Sequence, residues 1–285
     1  MSRVVVLGGT GFIGRHTYAA LGADALPLSS RDLNLEEVGS AERLAGRLSP
    51  ETTVVMCGGL TSTVDNTIRA YRANVAMAVN LARAARRRPV RSLVYLSSTF
   101  VYGRRGRPVA IDEDEPTAPD CPYSHAKLVA ERLLRSNATG ALTVLRLPGV
   151  YGPDDGGRSV VGALAGRIAS GQAVELVGGG RHRRDYVHVD DVAQLILRVV
   201  ESPYDGVLNA ASGEPVRIVE LAALLGRALG VASRAVERPP DGTVYDLTFD
   251  VHRLRARYPD AVPVGVARRL ATSAWAEAPV ARGDC

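Results

Sequence analysis

The 285-residue chain predicts an α/β fold with a parallel sheet and helices on both faces. Three observations lead there. Short β-rich runs alternate with helical stretches through the first two-thirds of the chain, as in parallel sheets with crossover helices. The first of those runs passes directly into a cluster of glycines. The length exceeds one ordinary domain yet falls short of two with separate cores, so a smaller second lobe is expected beside a large first one.

The strands are expected at 4–7, 25–28, 53–56, 92–96 and 142–147, and the helices at about 12–22, 39–48, 66–87 and 123–136. The longest helix sets Ile68, Tyr71, Val75, Val79, Leu81 and Ala82 at spacings of mostly three or four, which predicts one apolar face. After Tyr151-Gly152-Pro153 the pattern loosens, punctuated by Asp154-Asp155-Gly156-Gly157 and Gly178-Gly179-Gly180. A strand is expected at 186–189, then a helix from Val192 capped by Asp190-Asp191, a strand at 207–209, a helix at 220–229 and a late strand at 247–249. Residues 278–285 are expected to form a frayed tail. The division expected is 1–150 with 185–211 as the larger unit, and 151–184 with 212–285 as the smaller lobe.

Composition excludes several classes. No stretch of about 18 apolar residues offers a membrane span. The start, Met1-Ser2-Arg3 into an apolar strand, has the form of neither a signal nor a transit peptide, so a soluble cytoplasmic protein is expected. Cys57, Cys121 and Cys285 are far apart and form no disulfide or metal-ligand set. The net charge of +5 comes from dispersed arginines without the aromatic pattern of a nucleic-acid surface, so small anions are the expected partners. The densest basic run, 83–91, ends a helix, where cations suit the dipole. Of the 35 basic residues only Lys127 is lysine. A lone lysine in an arginine background points to a role that a guanidinium cannot fill.

Gly8-Gly9-Thr10-Gly11-Phe12-Ile13-Gly14 follows the first strand and opens a helix. Glycines at 8, 11 and 14 permit a tight turn, close approach of the backbone to a pyrophosphate, and close helix packing. The helix N-terminus attracts the anion. This is the fingerprint of a dinucleotide-binding, doubly wound Rossmann fold. At the end of the second strand an acid usually meets the ribose 2′-hydroxyl, but here the segment reads Leu28-Ser29-Ser30-Arg31-Asp32. The Ser30 hydroxyl and the Arg31 guanidinium suit a 2′-phosphate, which favours NADP(H) over NAD, while Asp32 keeps an acid nearby.

Tyr123 and Lys127 stand i, i+4 at the start of a helix introduced by Pro122, so both project from one face. A tyrosine titrates at about 10, too high for efficient proton transfer at neutral pH, and a neighbouring ammonium is expected to lower it. With ten tyrosines in the chain, a lone lysine would have one four residues before it only about one time in thirty. Ser97-Ser98-Thr99 ends the strand that begins at Ser92, where open α/β sheets bind ligands, so a hydroxyl there can donate to a developing alkoxide.

These motifs, in this order, make the chain resemble an extended short-chain dehydrogenase/reductase of the nucleotide-sugar branch. The matching residues are the Gly8 to Gly14 loop, Asn74, Tyr95-Leu96-Ser97-Ser98-Thr99-Phe100-Val101-Tyr102-Gly103, Tyr123-Ser124-His125-Ala126-Lys127, Arg146-Leu147-Pro148-Gly149-Val150-Tyr151-Gly152-Pro153, Arg184-Asp185-Tyr186-Val187-His188-Val189-Asp190-Asp191 and Asn209 to Pro215. They span nearly the whole chain.

The resemblance implies that Tyr123 exchanges the proton, Lys127 partners it and binds ribose, and Ser98 supplies the hydroxyl, with Ser97 and Thr99 as rivals. It places Pro148 near the nicotinamide, and Cys57, Gly58, Gly59 and Asn74 beside the dinucleotide. Asn34 and Leu35 are expected at the adenine, since residues 31–35 are similar to the stretch in GDP-fucose synthases and dTDP-4-dehydrorhamnose reductases that holds the adenosine end. Thr61, Ser98, Thr99, Tyr123, Tyr151 and Arg184 are expected at the substrate, with Arg184 on its pyrophosphate and Arg158, Arg181 and Arg183 within reach of phosphates.

Three departures from the family pattern stand out. Thr99-Phe100 replaces the acidic pair of the hexose dehydratases, Cys57-Gly58-Gly59 replaces the usual alanines, and Gly149 replaces a frequent Asn. Cys57 reads either as a cofactor neighbour or as a core thiol. The expected activity is reduction of a keto group, at C4, of a dTDP- or GDP-linked 4-keto-6-deoxyhexose by NADPH, without a metal. An epimerase with tightly held NAD is the alternative, and a non-catalytic dinucleotide sensor is a third reading. The resemblance also implies a homodimer through the helices at 66–87 and 123–136.

Overall fold

The computed structural model describes residues 4–104, 109–240 and 244–272; the expected tail at 278–285 lies outside the described residues. The chain runs β1 (Val4–Leu7), α1 (Phe12–Leu21), β2 (Ala25–Leu28), α2 (Ser40–Ala45), β3 (Thr53–Met56), α3 (Ile68–Arg87), β4 (Ser92–Ser98), α4 (Pro122–Arg135), β5 (Ala141–Leu147) and β6 (Gly149–Tyr151). It continues through α5 (Val160–Ala169), β7 (Val174–Val177), β8 (Arg183–Arg184), β9 (Tyr186–His188), α6 (Val189–Glu201) and β10 (Gly206–Asn209). The last elements are β11 (Val216–Arg217), α7 (Ile218–Leu229), β12 (Ala235–Arg238), α8 (His252–Arg257) and α9 (Val266–Thr272).

Six strands form one sheet in the order β10-β5-β4-β3-β1-β2. Every neighbouring pair in it is parallel. The chain leaves β1 for β2 on one side and returns to β3 on the other, so the order reverses between β1 and β3. The crevice outside their carboxyl ends is where open α/β sheets take ligands, and it carries Gly8 and Cys57-Gly58.

Both faces of the sheet are covered, which is why its strands read as continuous apolar runs. Val5, Leu7, Val54, Met56, Leu93 and Tyr95 pack with Leu44, Leu81 and Leu134 from α2, α3 and α4. Val4, Val6, Val55, Val94 and Leu96 pack with Val192, Leu195 and Val199 of α6, and with Leu247, Phe249, Val251, Leu254 and Tyr258 from late in the chain. A separate core gathers Tyr151, Leu164, Ile168, Leu176, Tyr186, Leu221 and Leu225 around α5 and α7.

The expected strands and helices of the first two-thirds are all present, with β4 reaching Ser98. Three expectations are corrected. First, α6 begins at Val189, and His188, not the Asp pair, is its N-cap, its Nδ1 accepting from the Asp190 N–H at 3.2 Å. Asp190 and Asp191 lie in the first turn, favourable to the dipole. Second, residues 247–249 make isolated bridges to Arg184 and Ile111 and no strand. Third, α3 buries the expected Leu81 and Ala82 together with Ala70, Ala73, Ala78 and Ala85, while Ile68 is exposed and Tyr71, Val75 and Val79 are half-buried. Small side chains let α3 approach the sheet and α4 closely, so size outweighs hydrophobicity in choosing its inner face.

Candidate functional site

The crevice begins with the glycine turn. The N–H groups of Gly8 and Gly9 donate to the Leu28 carbonyl at 2.8 and 3.1 Å, bending the chain out of β1. Gly8 has φ +76°, and a Cβ there would lie 2.5 Å from the Gly58 nitrogen. A Cβ on Gly14 would lie 2.1 Å from the Gly8 carbonyl oxygen, so only glycine lets α1 sit this close under the turn. Gly11 is the N-cap of α1 with no side-chain cap, and no acid stands in the first turn. Thr10 and Gly11 are exposed, and Phe12 and Ile13 half-buried. The first N–H groups of α1 thus face the crevice without an internal partner, which fits the pyrophosphate of a dinucleotide.

At the end of β2, Asp32 folds back. Its Oδ2 accepts from the Ser29 N–H at 2.8 Å and the Ser29 hydroxyl at 2.6 Å, and the Ser29 contacts hold its carboxyl below the ordinary range. Ser30 and Arg31 are left exposed beside it. Asn34 is half-buried, accepting from the Glu36 N–H at 3.1 Å and donating to Glu37 at 3.2 Å, and Leu35 lies in the core.

The loop after β3 closes the next wall. Cys57 and Gly58 donate from their N–H groups to the Leu7 carbonyl at 2.9 Å each. Asn74, buried on α3, binds the loop twice, accepting from the Leu60 N–H and donating to the Leu60 carbonyl, both at 2.9 Å. A Cβ on Gly59 would meet Asn74 Oδ1 at 3.2 Å and Lys127 Nζ at 3.6 Å. Burial pushes the Cys57 thiol up to about 12, so it is a neutral thiol. Thr61 is exposed further along, its hydroxyl 3.0 Å from that of Thr63.

The structure brings Ser98, Tyr123 and Lys127 together at the carboxyl end of β4. Pro122 opens α4, Ser124 Oγ takes the Cys121 N–H at 3.2 Å, and the Tyr123 N–H donates to Asn66 Oδ1 at 3.2 Å, so both ends of the first turn are anchored. Ser98, 7% exposed, accepts from the Phe100 N–H at 3.2 Å and stands near enough to the Tyr123 phenol to draw its proton affinity down. Alternation along β4 separates the rivals. Ser97 donates to Glu131 on the helix side, and Thr99 is 2% exposed.

Lys127, also 7% exposed, donates to the Leu96 carbonyl at 2.7 Å and lies 5.0 Å from the Tyr95 ring centre and 5.8 Å from that of Tyr123. Burial pulls the ammonium down to about 8, opposed by Glu131 because Cys57 is neutral. The Tyr123 phenol differs from the sequence expectation. Burial pushes it up to about 12, and the group drawing it back down is Ser98, since the ammonium is turned toward Leu96.

Pro148 is half-buried just past β5. The change to Gly149 has a local cause, because a Cβ there would sit 2.6 Å from the Tyr186 ring. Tyr151 is fully buried, edge-on to His188 with ring centres 5.2 Å apart, so it belongs to the core of the lobe. Arg184 is half-buried, donates to the carbonyls of Arg183 and Tyr245, and covers the Tyr245 ring at 5.0 Å. Of the other arginines, Arg158 is turned to the Asp155 carbonyl and Arg181 to Glu237.

Sequence reasoning missed Asn66, which sits in the loop before α3 with no motif, and the buried Glu131–Arg146 pair. A charged residue inside the apolar run of β5 was the available signal for the pair. Among the described residues there is no metal-ligand cluster, and no helix is long and apolar enough to cross a membrane.

Residues 4–211 match the model of the NAD dependent epimerase/dehydratase family. The chain is 32% identical to a dTDP-6-deoxy-L-talose 4-dehydrogenase (NAD(P)(+)) of Kitasatospora kifunensis, over 85% of this chain and 84% of that protein. Among solved structures it is similar to MoeE5 in complex with UDP-glucuronic acid and NAD, with TM-score 0.82, 26% identity, and coverage of 95% and 97%. It is also similar to RMD from Pseudomonas aeruginosa complexed with NADPH, with TM-score 0.77, 25% identity, and coverage of 90% and 92%.

Proposed function

The chain belongs to the NAD dependent epimerase/dehydratase family, and from that premise we propose that it is an NADP(H)-dependent reductase of a nucleotide-linked sugar ketone, the 4-keto group of a dTDP- or GDP-linked 6-deoxyhexose. The observation that carries this reading is the convergence of Ser98, Tyr123 and Lys127 at the carboxyl end of β4, with Lys127 Nζ 2.7 Å from the Leu96 carbonyl and 5.8 Å from the Tyr123 ring centre. A phenol held beside that hydroxyl and ammonium can give the proton that a ketone becoming an alcohol requires. When bound, the dinucleotide supplies the hydride. Ser98 holds the oxygen as negative charge grows on it, Tyr123 delivers the proton, and Lys127 binds the ribose and fixes the field around the phenol.

The cofactor preference rests on β2. The Asp32 carboxylate is occupied by Ser29, leaving Ser30 and Arg31 to meet a 2′-phosphate. The Kitasatospora relative, named for a C4 oxidation of a dTDP-6-deoxyhexose, supports the same position on the sugar. Thr99-Phe100 in place of an acidic pair weighs against dehydration. The sugar nucleotide lies between the sheet's carboxyl edge and the lobe built on α5 and α7, with Arg184 serving its diphosphate.

Titration of the purified protein with NADPH and NADH by calorimetry, after checking its absorbance for retained cofactor, tests the reading. Tight NADPH and weak NADH in an empty site support it. Retained NAD with no response to NADPH favours the epimerase.

A further inference from the structure

A buried ion pair lies beneath the trio. The Glu131 and Arg146 side chains are each 7% exposed, with Arg146 Nη2 donating to Oε2 at 2.7 Å and Nε to Oε1 at 3.2 Å. Ser97 donates to the same Oε1. The guanidinium covers the Tyr102 ring at 4.8 Å, and Tyr102 donates to Asn209 at 2.8 Å. A pair of this kind stabilises a fold no better than well-packed apolar residues of similar volume. Its place is informative. Glu131 stands one helical turn beyond Lys127 and two beyond Tyr123 on α4, while its partner Ser97 adjoins Ser98 on β4.

We infer that Glu131 is a positioning residue for the trio, the fixed anion that keeps the buried Lys127 ammonium charged and, through Ser97, holds Ser98 in register with α4. The groups facing Lys127 single it out. β4 offers the Tyr95 ring and the Leu96 carbonyl, α4 offers Tyr123 and Glu131, and the loop after β3 offers Cys57 with Gly59 and Asn74 behind it. Burial holds the Tyr95 and Tyr123 phenols and the Cys57 thiol in their neutral forms. Glu131 is the remaining counter-charge among them. The catalytic meaning of this rests on the proposed reductase reading, but the charge on Lys127 can be read without any substrate.

Lys127 is the chain's one lysine, so biosynthetic incorporation of lysine carrying ¹⁵N at Nζ gives a single side-chain resonance whose pH titration reports it. In the whole protein, Glu131→Gln is expected to move the midpoint down by about one pH unit. Because that variant leaves Arg146 unpaired, the double variant Glu131→Met, Arg146→Met provides a second, apolar replacement in which the midpoint also falls. An unchanged midpoint in either folded variant overturns the inference. A lowered midpoint in a protein that reduces no sugar ketone supports the inference and removes the reductase reading instead.

Discussion

The Lys127 ammonium donates to the Leu96 carbonyl across 2.7 Å, tying the first half of α4 to the carboxyl end of β4. Ser98 stands two residues beyond that carbonyl, close enough to Tyr123 to lower the proton affinity of its phenol. The lysine therefore fixes where the phenol and the hydroxyl meet, and the phenol's proton affinity is set by burial and Ser98.

Replacing Tyr123 by Phe removes the proton donor and little volume. Turnover is expected to fall at least about a hundredfold, the scale of general-acid catalysis, with NADPH affinity within a few fold of the parent by calorimetry. Turnover within about threefold of the parent removes Tyr123 from its role.

Arg31→Ala is expected to weaken NADPH at least about tenfold, the worth of a charge-assisted contact to phosphate, and NADH hardly at all. Fluorescence titration of both cofactors checks it. Equal losses contradict the 2′-phosphate assignment.

The rate of reduction should depend on pH through Lys127. Tyr123, pushed up to about 12, stays protonated across the working range, whereas Lys127, pulled down to about 8, is charged below that value and neutral above it. Single-turnover reduction is expected to be flat below about pH 8 and to fall as pH rises through it. A loss on the acid side only would contradict the assignment.

His188 provides a stability test away from the trio. Its Nδ1 faces both the Asp190 N–H and Arg269 Nη2, and burial lowers the ring from 6.5 to about 4. The unfolded chain binds a proton that the fold refuses, so stability is full above about 6.5 and declines as pH falls toward 4, by roughly 3 kcal/mol. Urea unfolding of His188→Gln should show a flatter profile over that window, and an unchanged slope counts against the neutral buried ring.

The fold was legible because its signals are local. Val4–Leu7 and Thr53–Met56 are apolar runs bounded by breakers, and the spacing of Gly8, Gly11 and Gly14 has one physical use. Tyr123 and Lys127 were legible for the same reason, four residues apart on one helix. The choice among Ser97, Ser98 and Thr99 was not, because adjacent strand residues face opposite sides and the sequence does not show that Ser97 turns to Glu131. Val187-His188-Val189 alternates like a strand, which hid the true start of α6. The buried face of α3 was placed correctly only at Leu81 and Ala82, because alanines give a weak apolar signal where close approach matters more than hydrophobicity. The lobe containing α5, β7 and α9 is built from short, glycine-punctuated segments whose pairing is decided by distant partners, as between β12 and β7.

The most direct test follows NADPH consumption by the purified protein with dTDP-4-keto-6-deoxyglucose, with the sugar product identified by NMR. A ketoreductase consumes one NADPH per sugar and leaves a hydroxyl in place of the C4 ketone, and that is the expected result. A sugar inverted at a carbon centre with no net NADPH consumed, by a protein that carries its own NAD, would contradict it.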